Sequence, residues 1–172
     1  PFLVSWILVL IGYIFQTAAE EIYIRGWLIP IISYHKNAYL AILISSTMFS
    51  YFHLNNNGAS WLSTVHLFVF GLFTAVYALK RGNIWGPCGF HFAWNFIMGN
   101  VYGFHVSGFD SESSLMYFTT SNRTFITGGE FGPEGGMSPG LVVFLLALLW
   151  AIFLLKDTSA EQEELYPQVS YE

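Results

Sequence analysis

Glu20-Glu21-Ile22-Tyr23-Ile24-Arg25-Gly26 sets two adjacent carboxylates and a guanidinium inside an otherwise apolar run. Residues 2–15 precede it, and Trp27-Leu28-Ile29-Pro30-Ile31-Ile32 follow. Within a bilayer each such charge costs about 2.5–3.5 kcal/mol on insertion scales, so it needs a partner, a water-filled cavity or a chemical task. The rest of the chain reads as the helices around this stretch.

Composition agrees with that reading. Of 172 residues, 54% are hydrophobic and 10% charged, and the mean hydropathy is +0.51. A soluble domain carries about 25% charged residues. The expectation is an all-α, polytopic transmembrane bundle of about five or six helices, integral and multi-pass. The net charge of −5 arises largely from a C-terminal tail and one polar loop, which argues against a nucleic-acid partner. The single cysteine, Cys88, excludes an internal disulfide and a multi-cysteine metal site. The apolar start has no basic region before it and no cleavage pattern after it, so it is not read as a signal peptide. The chain is expected to derive from a longer precursor and to lack earlier N-terminal spans.

A spanning helix takes about 20 residues. The run from 2 to about 32 exceeds one perpendicular span, so a break near Gly26 to Pro30 or a second short helix is expected. Further spans are expected over 38 to about 54, 61–79, 84 to about 102, and 139–155. Residues 1–156 form the expected core, with 103–138 as a polar, Gly-rich extramembrane loop and 157–172 as an acidic flexible tail. If every span crosses, His35, Lys36, Lys80, Arg81 and Lys156 share one side, opposite Arg123. That side is cytoplasmic by the positive-inside tendency.

Four places in the apolar runs carry reactive groups. Glu21 and Arg25 lie one helical turn apart, and a structural ion pair is the more frequent role for such a couple. Glu20 points about 100° away and is expected to be left without a partner on its own helix. His53 follows Phe49 by one turn, so Phe49 is placed to brace its ring. His91 and Asn95 share a face in the same way. At 1.5 Å per residue, Glu20 and His53 lie roughly 22–27 Å from the turn at His35, at matched depth in an antiparallel pair. Glu20, His53, His91 and Asn95 can therefore meet in one cavity. His66 sits among apolar neighbours and reads as an inter-helix hydrogen bonder. His35 and His105 read as solvated turn residues.

A glutamate beside a histidine can take a proton from water, and a second imidazole with an amide can donate to an oxyanion. His53, His91 and Glu20 could instead ligate Zn²⁺, which would activate the water. The residues leave both routes open, although no HExxH helix is present.

Three motifs then stand together. Glu20, Glu21 and Arg25 (EEIYIR), Phe49 and His53 (FSYFH), and His91 and Asn95 (HFAWN) resemble the EExxxR, FxxxH and HxxxN/D motifs of the CPBP family. This family holds the CAAX proteases and bacteriocin-processing enzymes, including type II CAAX prenyl endopeptidases and lysostaphin-resistance-like proteins. Residues 127–136 also resemble a loop of a bacterial subset. The resemblance implies an intramembrane endopeptidase, here of a bacterial cell membrane, acting on a peptide or lipidated protein. Carried over by position, Glu20 and His53 activate water, and His91 and Asn95 stabilise the oxyanion. Glu21, Arg25 and Phe49 support them. A metal-free glutamate route is preferred to zinc. The competing readings are a non-catalytic scaffold, an immunity factor or a subunit of a larger membrane-protein complex, and a proton-coupled transporter. The short chain and lack of an internal repeat disfavour the last.

Overall fold

The computed structural model describes residues 2–110, 113–118, 124–137 and 139–158. Arg123 and nearly all of the expected acidic tail, residues 159–172, lie outside them. The regular elements among the described residues are all helical, and the one β interaction there is an isolated bridge between Val106 and Phe109.

The first apolar run is one continuous helical rod. α1 (Phe2–Glu21) passes into a π-helical segment (Ile22–Leu28) and then into α2 (Ile29–His35). Pro30 accounts for the wider winding. It has no N–H to donate, and in a regular α-helix its ring would press on the carbonyl of Gly26. A π turn before it opens that spacing. The break expected near Gly26 to Pro30 is therefore a change of winding within an unbroken rod.

Local capping sets the remaining boundaries. Asn37 is extended and its Oδ1 accepts from the Leu40 N–H at 2.8 Å, which starts α3 (Ala38–Tyr51). α3 ends short of the expected residue 54, and 52–58 form turns. Ser60 and Ser63 cap α4 (Trp61–Arg81) reciprocally, and Gly82, at φ 60°, ends it. α5 (Trp85–Phe96) continues as a π segment over Ile97–Val101. A short α6 (Thr124–Thr127) and two 3₁₀ turns (Gly129–Phe131 and Pro133–Gly135) lead to α7 (Pro139–Leu149), which also ends in π winding (Trp150–Leu154).

Phe2–His35 and Trp61–Arg81 are long and apolar enough to cross a membrane, while Ala38–Tyr51 and Gly140–Leu154 are shorter apolar helices. α4 is central and packs against α3, α5 and α7; α1 lies on α5 and α2 on α3. The α3–α4 crossing is close because a Cβ on Gly71 would stand 2.8 Å from the Ser46 Cα. Small residues at helix crossings permit such approach. Ile24, Phe49, Leu67, Phe70 and Phe144 fill the core.

Lys80 ties the end of α4 to the end of the winding that follows α7. Lys80 Nζ donates to the Ile152 and Leu155 carbonyls at 2.5 and 3.3 Å, and the Thr158 N–H donates to the Lys80 carbonyl at 2.8 Å. The described residues of the 103–137 segment meet the bundle at the other end, where Asn56 Nδ2 donates to the Ser107 carbonyl at 2.8 Å. This segment, expected as a loop outside the bundle, sends Phe131 into the core, where it is fully buried.

Candidate functional site

A cavity of about 520 Å³ opens between α1, the α3 terminus, α4, α5 and the 103–137 segment. Glu20, His53, His91 and Asn95 all line it, together with Phe49. The structure thus brings together the four residues expected to be catalytic. Glu21 and Arg25 stand behind the wall, both fully buried at the side chain.

Glu21 Oε1 is a double acceptor. It lies 3.1 Å from Arg25 Nη1 and 2.9 Å from His91 Nδ1. The guanidinium carbon of Arg25 sits 4.5 Å from the centroid of the Phe49 ring, a cation–π contact. Phe49 and Phe70 in turn hold the His91 ring edge-to-face, at 5.7 and 5.0 Å between centroids. One ion pair and two phenyl rings fix the orientation of His91.

Two imidazole tautomers follow from the partners. A carboxylate only accepts, so His91 Nδ1 carries the proton toward Glu21. His91 Nε2 then faces Glu20 Oε2 at 3.8 Å, and it donates there only as imidazolium. His53 Nδ1 is 2.8 Å from the Phe49 carbonyl. A carbonyl also only accepts, so Nδ1 donates and the lone pair of neutral His53 rests on Nε2. Phe49 therefore braces His53 through its carbonyl and through its ring, 4.9 Å away.

Glu20 is not left alone on its helix, as expected from spacing. Gln16, one turn earlier, donates to its Oε1. The other side of the same amide, Gln16 Oε1, accepts from Asn95 Nδ2 at 3.4 Å. Gln16 thus links the base candidate to the amide candidate. Its position four residues before Glu20 was the available sequence signal. Glu20 lines the cavity with 30% of its side chain exposed, its Oε2 buried and without a hydrogen-bond partner among the described residues, while Glu21 at 0% is sealed.

Glu134 is the largest omission of the sequence reading. It lines the cavity from the distal loop, is buried, and accepts from Trp94 Nε1 at 2.7 Å and from Ser107. Only a fold could bring it there from 43 residues beyond His91. His66 corrects an expectation. It is fully buried against Phe144 and beside the backbone of Glu134, yet neither ring nitrogen makes a hydrogen bond of normal geometry among the described residues. His105 is not simply solvated: Nδ1 meets the Glu130 carbonyl at 2.7 Å and Nε2 meets Asp110 at 2.5 Å. His35 is exposed.

Among the described residues no three His, Cys, Asp or Glu side chains are grouped to hold a metal ion. His91 Nδ1 is engaged by Glu21, and His91 Nε2 is the ring nitrogen that faces Glu20, at 3.8 Å.

The profile of the type II CAAX prenyl endopeptidase Rce1-like family matches residues 2–97, more than half of the chain. The chain belongs to this family. Its members are membrane-embedded proteases. The match contains every motif position from Glu20 to Asn95 and stops before the loops that bear Ser107 and Glu134. No curated protein and no solved structure matches the chain.

Proposed function

We propose that this chain is a multi-pass intramembrane endopeptidase that hydrolyses a peptide bond near the membrane with a glutamate-activated water. The observation that carries this reading is the shared cavity: a partly exposed carboxylate, two oriented imidazoles and a primary amide line one space. Glu20 takes one proton from a water molecule, assisted by His53 through Nε2. The water oxygen forms a bond to the peptide carbonyl carbon. The oxyanion receives hydrogen bonds from His91 Nε2–H and Asn95 Nδ2. The C–N bond then breaks, and the proton held by Glu20 passes to the leaving amine. Glu21, itself paired with Arg25, keeps His91 aligned through Nδ1. Glu21 and Arg25 take no part in bond making.

The substrate is a peptide or a lipidated protein reached within the bilayer, and the membrane is that of a bacterial cell. Val9, Tyr13, Leu67, Phe70, Val106 and Phe109 give the cavity an apolar lining suited to such a segment.

Cleavage of a peptide library by the full chain in liposomes tests the reading. Glu20→Gln should lower turnover by about 10²–10⁴-fold, the range of general-base catalysis, while a chelator leaves the native rate unchanged. Loss of activity in chelator would replace the glutamate route by a metal route. Absence of cleavage by the native chain would return it to the scaffold reading.

A further inference from the structure

We infer that the loops 105–109 and 128–136 form a roof over the substrate cavity and that Glu134 is the positioning residue that sets its height. This rests on the endopeptidase reading above. Both loops lie outside the family-matched stretch, so nothing in the match assigns them.

The carboxylate of Glu134 is 4% exposed at residue level and is saturated. Oε1 accepts from Trp94 Nε1 at 2.7 Å; Oε2 accepts from the Ser107 N–H at 3.0 Å and from Ser107 Oγ at 2.8 Å. Its partners explain its role. Trp94 belongs to α5, next to Asn95 and three residues after His91. Ser107 belongs to the roof, next to Val106, and both Val106 and Phe109 face the cavity. Glu134 therefore ties the wall bearing His91 and Asn95 to the surface that covers it.

The backbone shows that this tie is tight. Ser107 has φ 49°, in the left-handed region where a non-glycine residue is uncommon. Such a conformation persists where surrounding contacts over-determine it. The Asn56 side chain, through the Ser107 carbonyl, and the Phe131 carbonyl, through the Gly108 N–H, supply further contacts. Gly108 and Gly132 have positive φ and meet the Asn57 and His105 carbonyls so closely that a Cβ would collide. His105 braces the same hairpin between Glu130 and Asp110. The roof fits against the bundle with no slack, and Phe131 anchors it in the core.

A roof held at fixed height contributes to binding the substrate and not to proton transfer. Its release should weaken binding and spare the chemical step. Two measurements on the full chain in liposomes test this with Glu134→Ala, Glu134→Gln and Ser107→Ala. The first is hydrogen exchange of the peptide spanning 104–110, which needs no turnover. Glu134→Ala should speed exchange there by about tenfold or more, as expected when a local opening is freed. Ser107→Ala, which removes one hydroxyl, should act in the same direction to a smaller degree. The second is steady-state cleavage. KM should rise by about tenfold with kcat nearly unchanged, the signature of lost uniform binding, and Glu134→Gln, which retains an acceptor oxygen, should recover part of it. Unchanged exchange in both alanine variants overturns the roof whatever the cleavage data. A fall in kcat at constant KM also overturns it, because Glu134 would then act on the reaction itself. Faster exchange in a chain that cleaves nothing leaves the roof standing and removes the endopeptidase reading.

Discussion

His91 Nδ1 stands 2.9 Å from Glu21 Oε1, on the same oxygen that faces Arg25 Nη1 at 3.1 Å. The second glutamate of the pair is thereby committed to holding an imidazole and a guanidinium, and the first lines the cavity. Two adjacent residues of one type acquire opposite roles because a single helical step turns one into the cavity and the other into the core.

That division predicts unequal costs. Glu21→Ala leaves Arg25 buried beside an aromatic ring with no counter-charge, and removing one partner of a buried pair costs about 3–5 kcal/mol. Glu21→Gln combined with Arg25→Met should be markedly less destabilised than Glu21→Ala alone. Thermal unfolding in detergent measures both, and equal losses would show that the ion pair adds nothing.

His53 should separate activity from stability. Among the described residues its ring bonds a carbonyl one turn away, and it sits in the turn after α3. His53→Ala is expected to reduce turnover by about 10²–10⁴-fold while the melting temperature hardly moves. A large drop in melting temperature with turnover preserved would assign His53 to structure.

Asn95 and Gln16 form a graded pair. Asn95→Ala removes an oxyanion donor and should lower kcat by about 10²–10³-fold. Gln16→Ala leaves that donor present but less well aimed, so its loss should be smaller. The order of the two kcat values is the test; a larger effect at Gln16 would move the catalytic amide there.

Glycines 71 and 89 should respond in opposite directions. A side chain at Gly71 meets the α3 backbone, and overpacking of this kind costs about 1–3 kcal/mol. At Gly89, within α5, a Cβ meets nothing within 4 Å, so Gly89→Ala should stabilise by about 0.5–1 kcal/mol. Melting curves of Gly71→Val and Gly89→Ala check the pair.

Much of the arrangement was readable in one dimension where the cause is local. Spacing of four pairs Glu21 with Arg25 and Phe49 with His53, and apolar runs mark the helices. Depth counting placed Glu20 and His53 together because both are measured from one turn. Other features needed the fold. The α3 end at Tyr51 comes from the turns over 52–58, which the apolar count overlooks. The contact of His91 with Glu21 joins residues 70 apart, and no periodicity encodes it. Glu134 is an acidic residue in a glycine-rich segment, a pattern that reads as a solvated loop. Its burial depends on Trp94 and Ser107 arriving from elsewhere. His66 shows the converse, since an apolar context suggested an inter-helix partner and the described structure provides none at bonding geometry.

The π winding over Ile22–Leu28 gives the first rod two angular phases. Before it, Gln16 and Glu20 look into the cavity; after it, Ile29 looks into a packed cluster with Ala41 and Ala75. A straight α-helix would carry a single stripe through both regions. Here the offset between stripes is stored as chain length, in the number of residues within the wide turns. Exchanging Ile22 or Trp27, both exposed, alters a surface. Deleting either would rotate every later residue relative to Glu20, so this stretch should accept substitutions far more readily than insertions or deletions.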